Sequence, residues 1–291
     1  MTVDKGNRRK GILYLIAACF FLALMSSCVR LAGDLPGPQK AFIRVLVMGI
    51  FSYVPFRRNG ERLSLGKEER VPLILRGIFG AIAILLNFYA VDHMNLADAN
   101  MLNKLSPFFA VFFSWIILKE TFDRFDLTAL IFALIGALLI VKPGGNAALV
   151  PALAGAMSGV GSGIGNTYVR AAAKAGASKE KVVLVYSIIA CLITFPLMMT
   201  NFQPMTLKQI LAMLACGICS TIGHELNVLA YANAPAHEIS VFDYSQVVFA
   251  AIIGFALFGQ IPDWLSVLGY AIIIGTGIVV FYFERKEKQH G

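Results

Sequence analysis

The chain has 291 residues, of which 58% are apolar and only 14% are charged, and its mean hydropathy is +0.73. Ordinary globular domains carry about 25% charged residues. So few charged residues could not cover the surface of a soluble protein, and this composition therefore excludes a soluble fold. The net charge of +8 is typical of basic loops beside a membrane, and we expect no nucleic-acid binding.

Ten stretches are each apolar enough for a membrane-spanning helix, which needs about 20 residues. The first stretch follows a basic amino terminus and resembles a signal peptide. Because the rest of the chain is equally apolar, we expect it to be an uncleaved first span. The breaks between the stretches carry Pro, Gly or charged residues. The predicted spans 1 to 10 are 11–31, 37–55, 71–91, 96–118, 124–142, 149–171, 181–200, 208–231, 237–259 and 264–284.

Basic residues are unevenly distributed over the segments between these spans. If the amino terminus lies in the cytoplasm, most of the 25 Lys and Arg fall on the cytoplasmic side. The exceptions outside are Arg30, Lys40, Lys142 and Lys208. Lys and Arg accumulate in cytoplasmic loops, so the sequence predicts a multi-pass protein of the cell membrane, a bacterial inner membrane, with both termini cytoplasmic.

The chain contains an internal repeat. LNFYA at 86–90 recurs as LNVLA at 226–230, and the same shift of 140 residues aligns Gly77 with Gly217. Each unit holds five spans, and because five is odd the second copy enters the membrane upside down. The predicted fold class is therefore an all-α membrane protein, with ten transmembrane helices as two inverted five-helix repeats around a central cavity. The predicted boundaries are a cytoplasmic tail 1–10, a first repeat 11–142, a second repeat 149–284 and a cytoplasmic tail 285–291.

The end of the first repeat, 96–136, carries marks of a known family. They are Ala97-Asp98-Ala99, Ser106-Pro107, Lys119-Glu120 and a Gly in span 5. In these marks the chain resembles the drug/metabolite transporter superfamily, in its EamA-type branch, and the resemblance extends over nearly the whole chain. The second copy departs from the pattern at Val247 and Gln260. The resemblance implies a ten-helix carrier whose cavity is lined mainly by spans 1, 3, 4, 6, 8 and 9, and it selects no substrate.

Polar side chains within spans are candidates for a binding site, because they are costly in lipid unless they face a cavity or a partner. Lys104 lies too far from the membrane surface to reach water easily. Pro107 follows it, removes a backbone hydrogen bond to Asn103 and predicts a kink in span 4. The predicted substrate-binding residues are Asn100, Asn103, Lys104, Ser162, Asn166, His224, Asn227, Asp243 and Tyr244.

Two acids and a histidine in spans 8 and 9 could carry a proton, and we predict Glu225, Asp243 and His224 as proton-coupling residues. We expect Lys104 near the outer end of the cavity and these three near its inner end. Two alternatives stay open: the polar face of span 4 could bind neighbouring helices, and the glycines of span 6 could serve close packing or cavity volume. Arg44, in the middle of span 2, has no counter-charge that the sequence identifies.

These observations predict a secondary transporter that moves a small organic metabolite, amino-acid-like or amine-bearing, by alternating access. Proton coupling and an uncoupled facilitator both stay open, and a channel or a lipid flippase is the alternative. GHELN at 223–227 resembles a zinc-protease helix, but the second His of that motif would stand at Val228. We therefore expect no enzyme activity, no metal and no cofactor. The expected partners are the solute, membrane lipid and, if transport is coupled, protons; the protein is a monomer or a homodimer.

Overall fold

The computed structural model describes residues 5–60, 63, 65–121, 124–142, 149–233 and 239–290. These residues form helices and connecting loops without a strand, and each predicted span overlaps a helix, numbered α1 to α10 to match. Two spans are broken: α4 has two α-helical parts, and α9 begins with a 3₁₀ turn. The elements are α1 Lys5–Leu31, α2 Gly37–Arg58, α3 Lys67–His93, α4 Leu96–Asn103 and Ser106–Leu118, α5 Arg124–Val141, α6 Leu149–Lys174, α7 Lys179–Thr200, α8 Leu207–Asn233, α9 Ser240–Tyr244 and Ser245–Phe258, and α10 Trp264–His290. His237, at the predicted start of span 9, lies outside the described residues, as do residues 1–4 and 291 of the predicted tails.

The surface of the helical bundle is apolar, as a lipid-facing surface must be. Side chains such as Leu192 and Phe255 are mostly exposed, whereas polar groups such as Gln39 and Ser158 are fully buried. Among the described residues, eight spans are long and apolar enough to cross a membrane. The other two are α2, which carries Lys40 and Arg44, and α6, which is rich in Gly.

The helices contact one another in pairs that are related by symmetry. α1 packs on α8 as α6 packs on α3, and α4 packs on α6 as α9 packs on α1. α2 packs on α7, and α5 packs on α10. A shift of five spans along the chain exchanges the contacts of the first two pairs and leaves α2–α7 and α5–α10 unchanged, as expected for two repeats related by a pseudo-two-fold axis.

The ends of the spans show that the two repeats are inverted. Glu120, just after α4, accepts a hydrogen bond from Arg170 near the end of α6. Its counterpart Gln260, just after α9, accepts one from the backbone N–H of Leu96, the first residue of α4. The two positions therefore lie at opposite ends of α4, and the predicted fold class is confirmed.

Close packing between spans depends on a matched pair of glycines. A Cβ atom at Gly77 on α3 would lie 2.6 Å from Cβ of Ile189 on α7, and one at Gly217 on α8 would lie 2.5 Å from Cβ of Val47 on α2. No real Cβ tolerates such distances, so only glycine allows these helices to approach. Because Gly77 and Gly217 are equivalent in the repeat, both halves use the same device.

The predicted kink in span 4 is a full break in the helix. The first part of α4 ends at Asn103 and the second begins at Ser106, with Pro107 in its first turn. α9 changes from 3₁₀ to α-helix between Tyr244 and Ser245, which are equivalent to Lys104 and Leu105 in the repeat. Both copies therefore break at the same depth, although the second has Val247 in place of the proline.

Candidate substrate cavity

A cavity of about 330 Å³ lies where the two repeats meet. One wall is formed by α1, α8 and α9, which we call the first helix group, and the other by α3, α4 and α6, the second helix group; α2 and α7 contribute one side chain each. The volume suits a small metabolite, since ligand sites measure about 300 to 1,000 Å³. Eight of the nine predicted binding residues line it: Asn100, Asn103, Lys104, Ser162, Asn166, His224, Asn227 and Asp243.

An ion pair spans the cavity at the two helix breaks. Nζ of Lys104, between the parts of α4, donates to Oδ2 of Asp243, in the 3₁₀ turn of α9, over 2.7 Å. The prediction that placed these residues toward opposite ends of the cavity is therefore wrong. The repeat gives the reason, because Asp243 is the counterpart of Asn103, and residues related by an axis in the membrane plane lie at matching distances from the midplane.

Two asparagines of α4 fix its first part against its neighbours. Oδ1 of Asn100 accepts hydrogen bonds from Oγ of Ser26 over 3.1 Å and from Nε2 of Gln246 over 2.8 Å. Nδ2 of Asn103 donates to Ser158 and Ser162 on α6 over 3.1 and 3.3 Å. These contacts match the alternative in which the polar face of α4 binds neighbouring helices, and they also leave both asparagines at the cavity wall.

His224 faces an arginine and not an acid. Nη2 of Arg44 lies 3.3 Å from Nε2 of His224, and Nη1 of Arg44 lies 3.4 Å from the hydroxyl of Tyr186. A guanidinium has donors only, so Nε2 of His224 must accept and carries no proton in this arrangement. Arg44 is 6% exposed, and its guanidinium carbon lies 5.9 Å from the centre of the Phe88 ring.

A second arginine enters the cavity from α3. The guanidinium carbon of Arg76 lies 4.4 Å from the centre of the Tyr186 ring, in cation–π contact. Room for it comes from glycines, because a Cβ at Gly165 on α6 would lie 3.1 Å from its Nη1. Arg44 and Arg76 therefore flank the same Tyr186 ring, Arg44 at its hydroxyl and Arg76 at its face.

Two of the predicted residues lie away from the cavity. Glu225, next to His224 on α8, is exposed and does not line the cavity. Successive helical residues differ by about 100° in direction, so His224 points inward and Glu225 outward. The placement of Glu225 therefore gives no support to its predicted proton-coupling role. Tyr244 is buried against Gly277 on α10 instead of facing the cavity, because the turn that aims Asp243 inward sends the next residue to the back of α9.

The glycines of α6 serve both of the purposes that the sequence left open. A Cβ at Gly159 would lie 2.7 Å from the carbonyl oxygen of Leu102, and one at Gly163 would lie 2.6 Å from Cβ of Phe109. These two positions let α6 approach α4 closely. Gly165, two residues after Gly163, instead makes room for Arg76 beside the cavity.

Contacts join the two helix groups at the predicted outer end. Arg30 on α1 donates to the carbonyl oxygens of Val91 and Met94 at the end of α3 over 3.2 and 2.6 Å. The contact of Gln260 with Leu96 joins α9 to α4 at the same end. At the other end, the described ion pairs of Glu69 with Lys181 and of Glu120 with Arg170 stay among α3, α4, α6 and α7. Among the described residues, these hydrogen bonds therefore join the two helix groups at one end of the cavity.

Several polar residues that line the cavity were not among the predicted binding residues. They are Arg44, Arg76, Asn87, Ser106, Tyr186 and Gln246. The signal for the two arginines was present, because each stands within an apolar span. Asn87 was recognisable as the counterpart of Asn227, and both line the cavity.

The whole chain matches known transporters. The model of the EamA-like transporter family matches residues 9–142 and again residues 149–283. The pseudopaline exporter CntI of Pseudomonas aeruginosa is 31% identical over 270 residues, which cover 91% of this chain and 94% of the relative. An uncharacterized transporter of Helicobacter pylori is 26% identical, covering 93% and 94%. Human solute carrier family 35 member G1 is 24% identical, covering 92% of this chain and 78% of its own length.

A solved crystal structure shows the same fold. Its TM-score is 0.66 and it covers 94% of this chain and 98% of its own, at 17% identity. Fold, family match and apolar helices agree on a multi-pass membrane transporter, and its relatives are not enzymes. The chain is a member of the EamA-like transporter family, within the drug/metabolite transporter superfamily.

Proposed function

We propose that this transporter is a secondary carrier that moves a small organic metabolite by alternating access. The observation that carries the proposal is the polar cavity between the two helix groups, at the breaks of α4 and α9. Discontinuous helices at the interface of inverted repeats mark the solute site in many carriers. Rocking one group against the other would separate the groups at the end where Arg30 and Gln260 now join them.

The cavity favours an amino-acid-like solute over a simple amine. An amine would need a free carboxylate, but Asp243 is held by Lys104 and Glu225 lies outside. A carboxylate can approach Arg44 and Arg76, and the amides of Asn87 and Asn227 offer further hydrogen bonds. The similarity to the pseudopaline exporter makes pseudopaline the first compound to test.

Transport is tested in proteoliposomes loaded with pseudopaline and a set of isotope-labelled amino acids, with efflux followed by mass spectrometry. We expect saturable efflux, because each solute molecule must occupy the cavity once per cycle. Ser162→Trp fills the cavity wall and should abolish efflux, whereas Met157→Trp on the outward face of α6 should not. Single-channel conductance would favour a channel, and translocation of labelled phospholipid would favour a flippase; either result contradicts the carrier.

Proton coupling is the finer part of the proposal, and Asp243 is its candidate residue. Protonation of Asp243 would free Lys104 and separate α4 from α9. We expect a pH gradient to drive efflux in the parent but not in Asp243→Asn, while Glu225→Gln behaves as the parent. If the efflux rate does not depend on the pH gradient in the parent, Asp243→Asn or Glu225→Gln, the protein is an uncoupled facilitator.

A further inference from the structure

We propose that Arg44 and Arg76 form an anion subsite that binds the carboxylate groups of the transported solute, so that the preferred substrates are small organic acids with net negative charge. The inference rests on the proposed function and names the substrate class of that same cavity.

The two arginines have no carboxylate partner in the part of the chain that the structure describes. Among the described residues no ion pair joins either side chain to an acid; their contacts are with His224, Phe88 and Tyr186. The Nε atoms of both are buried without a hydrogen-bond partner. Buried guanidinium groups are normally paired, so both arginines lack hydrogen bonds that such groups usually make.

The charge of the cavity is also unbalanced. Its cationic side chains are Arg44, Arg76 and Lys104, and Asp243 is the carboxylate among the lining residues. Asp243 already pairs with Lys104, and His224 accepts a hydrogen bond as a neutral ring. Two positive charges are therefore left in surroundings of low dielectric constant, where they are strongly unfavourable unless an anion joins them.

The geometry suits carboxylates. Guanidinium groups bind carboxylates through paired N–H donors. Here the guanidinium group of Arg44 lies at the hydroxyl of Tyr186, and that of Arg76 lies at the face of the same ring. A molecule in 330 Å³ can touch both. A dicarboxylate would neutralise the excess charge completely, whereas an amino acid with an acidic side chain, which carries one net negative charge, would offset half of it.

Binding is tested on the purified full-length protein in detergent, by calorimetry and by the rise in unfolding temperature. The probes are succinate, its neutral diamide succinamide, the dication 1,4-diaminobutane and inorganic phosphate. We expect succinate to bind and stabilise, and succinamide and diaminobutane to have no effect. Arg44→Gln and Arg76→Gln should each weaken succinate binding at least ten-fold, while Arg170→Gln, at the exposed end of α6, should leave it unchanged.

The unfolding temperature without ligand separates loss of the site from loss of the fold. Because Arg76 carries an unpaired charge, Arg76→Gln should raise that temperature by about 2 °C or more, although it weakens binding. A fall in the ligand-free temperature together with unchanged succinate binding would overturn the subsite, as would binding of no dicarboxylate of three to six carbons. Phosphate binding tighter than every dicarboxylate would overturn the carboxylate class.

Transport and binding can fail separately. Succinate binding without saturable efflux of any solute would retain the subsite and contradict the carrier. Saturable efflux of a neutral solute without binding of any anion would retain the carrier and overturn the subsite.

Discussion

Removing Asp243 alone from the Lys104–Asp243 pair should destabilise the protein more than removing both partners. Their side chains are 10% and 24% exposed, and the Nζ–Oδ2 distance is 2.7 Å. Breaking a buried pair costs about 3 to 5 kcal/mol, because one charge stays buried without a partner. The pair borders a polar cavity, so we expect the lower end of that range for the worse variant.

The two single substitutions should differ in their cost. Asp243→Asn leaves three cations in one cavity, and we expect it to lower the free energy of unfolding by about 3 kcal/mol. Lys104→Met leaves Asp243 facing Arg44 and Arg76, so about 1 to 2 kcal/mol is expected. The double variant should lie close to Lys104→Met alone, so the coupling energy should be close to the cost of Asp243→Asn, about 3 kcal/mol.

Denaturant unfolding of the four proteins in one detergent measures this cycle. The control cycle is Lys174→Met with Glu120→Gln, whose side chains are 59% and 26% exposed; its coupling should stay below about 1 kcal/mol. Additive effects at Lys104 and Asp243, within about 0.5 kcal/mol, would refute the pair. A larger cost for Lys104→Met than for Asp243→Asn would refute the charge excess.

Three further predictions concern the fold. Gly217→Ala should cost about 1 to 3 kcal/mol through the clash with Val47, whereas Gly275→Ala, with nothing within 4 Å of its Cβ, should be nearly neutral in the same unfolding assay. In a variant without native cysteines, Glu120→Cys and Gln260→Cys should react with an impermeant maleimide from opposite sides of the membrane; labelling from the same side would contradict inverted repeats. Lys174 donates to Glu120 and Arg170 lies beside it, which lowers the pKa of that carboxyl. Its contribution is therefore present above the unfolded-state pKa of about 4.3 and lost as the pH falls through the folded value, so the unfolding temperature of Glu120→Gln should change less between pH 5 and 3 than that of the parent.

The fold was predictable because two kinds of sequence periodicity specify it. Apolar stretches of about 20 residues locate the spans, and a shift of 140 residues between copies of five spans requires inversion. The breaks were only partly predictable. Pro107 indicates one in α4, but Val247 gives no such signal in α9, where the break follows from the position in the repeat.

The site was less predictable, because a sequence gives the angle between neighbours on a helix but not which of them faces inward. His224 and Glu225 are equally polar, and only the packing of α8 on α1 and α2 directs His224 to the cavity. The depth of Asp243, by contrast, was predictable from the sequence. The repeat makes Asp243 the counterpart of Asn103, and so predicts that both lie near the midplane.

The repeat also distinguishes the residues that the helical frame of the two repeats requires from those that are specific to the cavity. The frame is symmetric, with equivalent glycines, equivalent breaks and the paired Asn87 and Asn227. The charges are not symmetric: the counterpart of Arg44 is Leu184, that of Arg76 is Cys216, and both counterparts are buried. Apolar side chains therefore pack well at the equivalent positions of the other repeat. Helix packing alone gives no reason for a guanidinium group at either Arg44 or Arg76. The fold therefore does not require these two buried positive charges, which are energetically unfavourable. They are best explained by a solute whose negative charge offsets them.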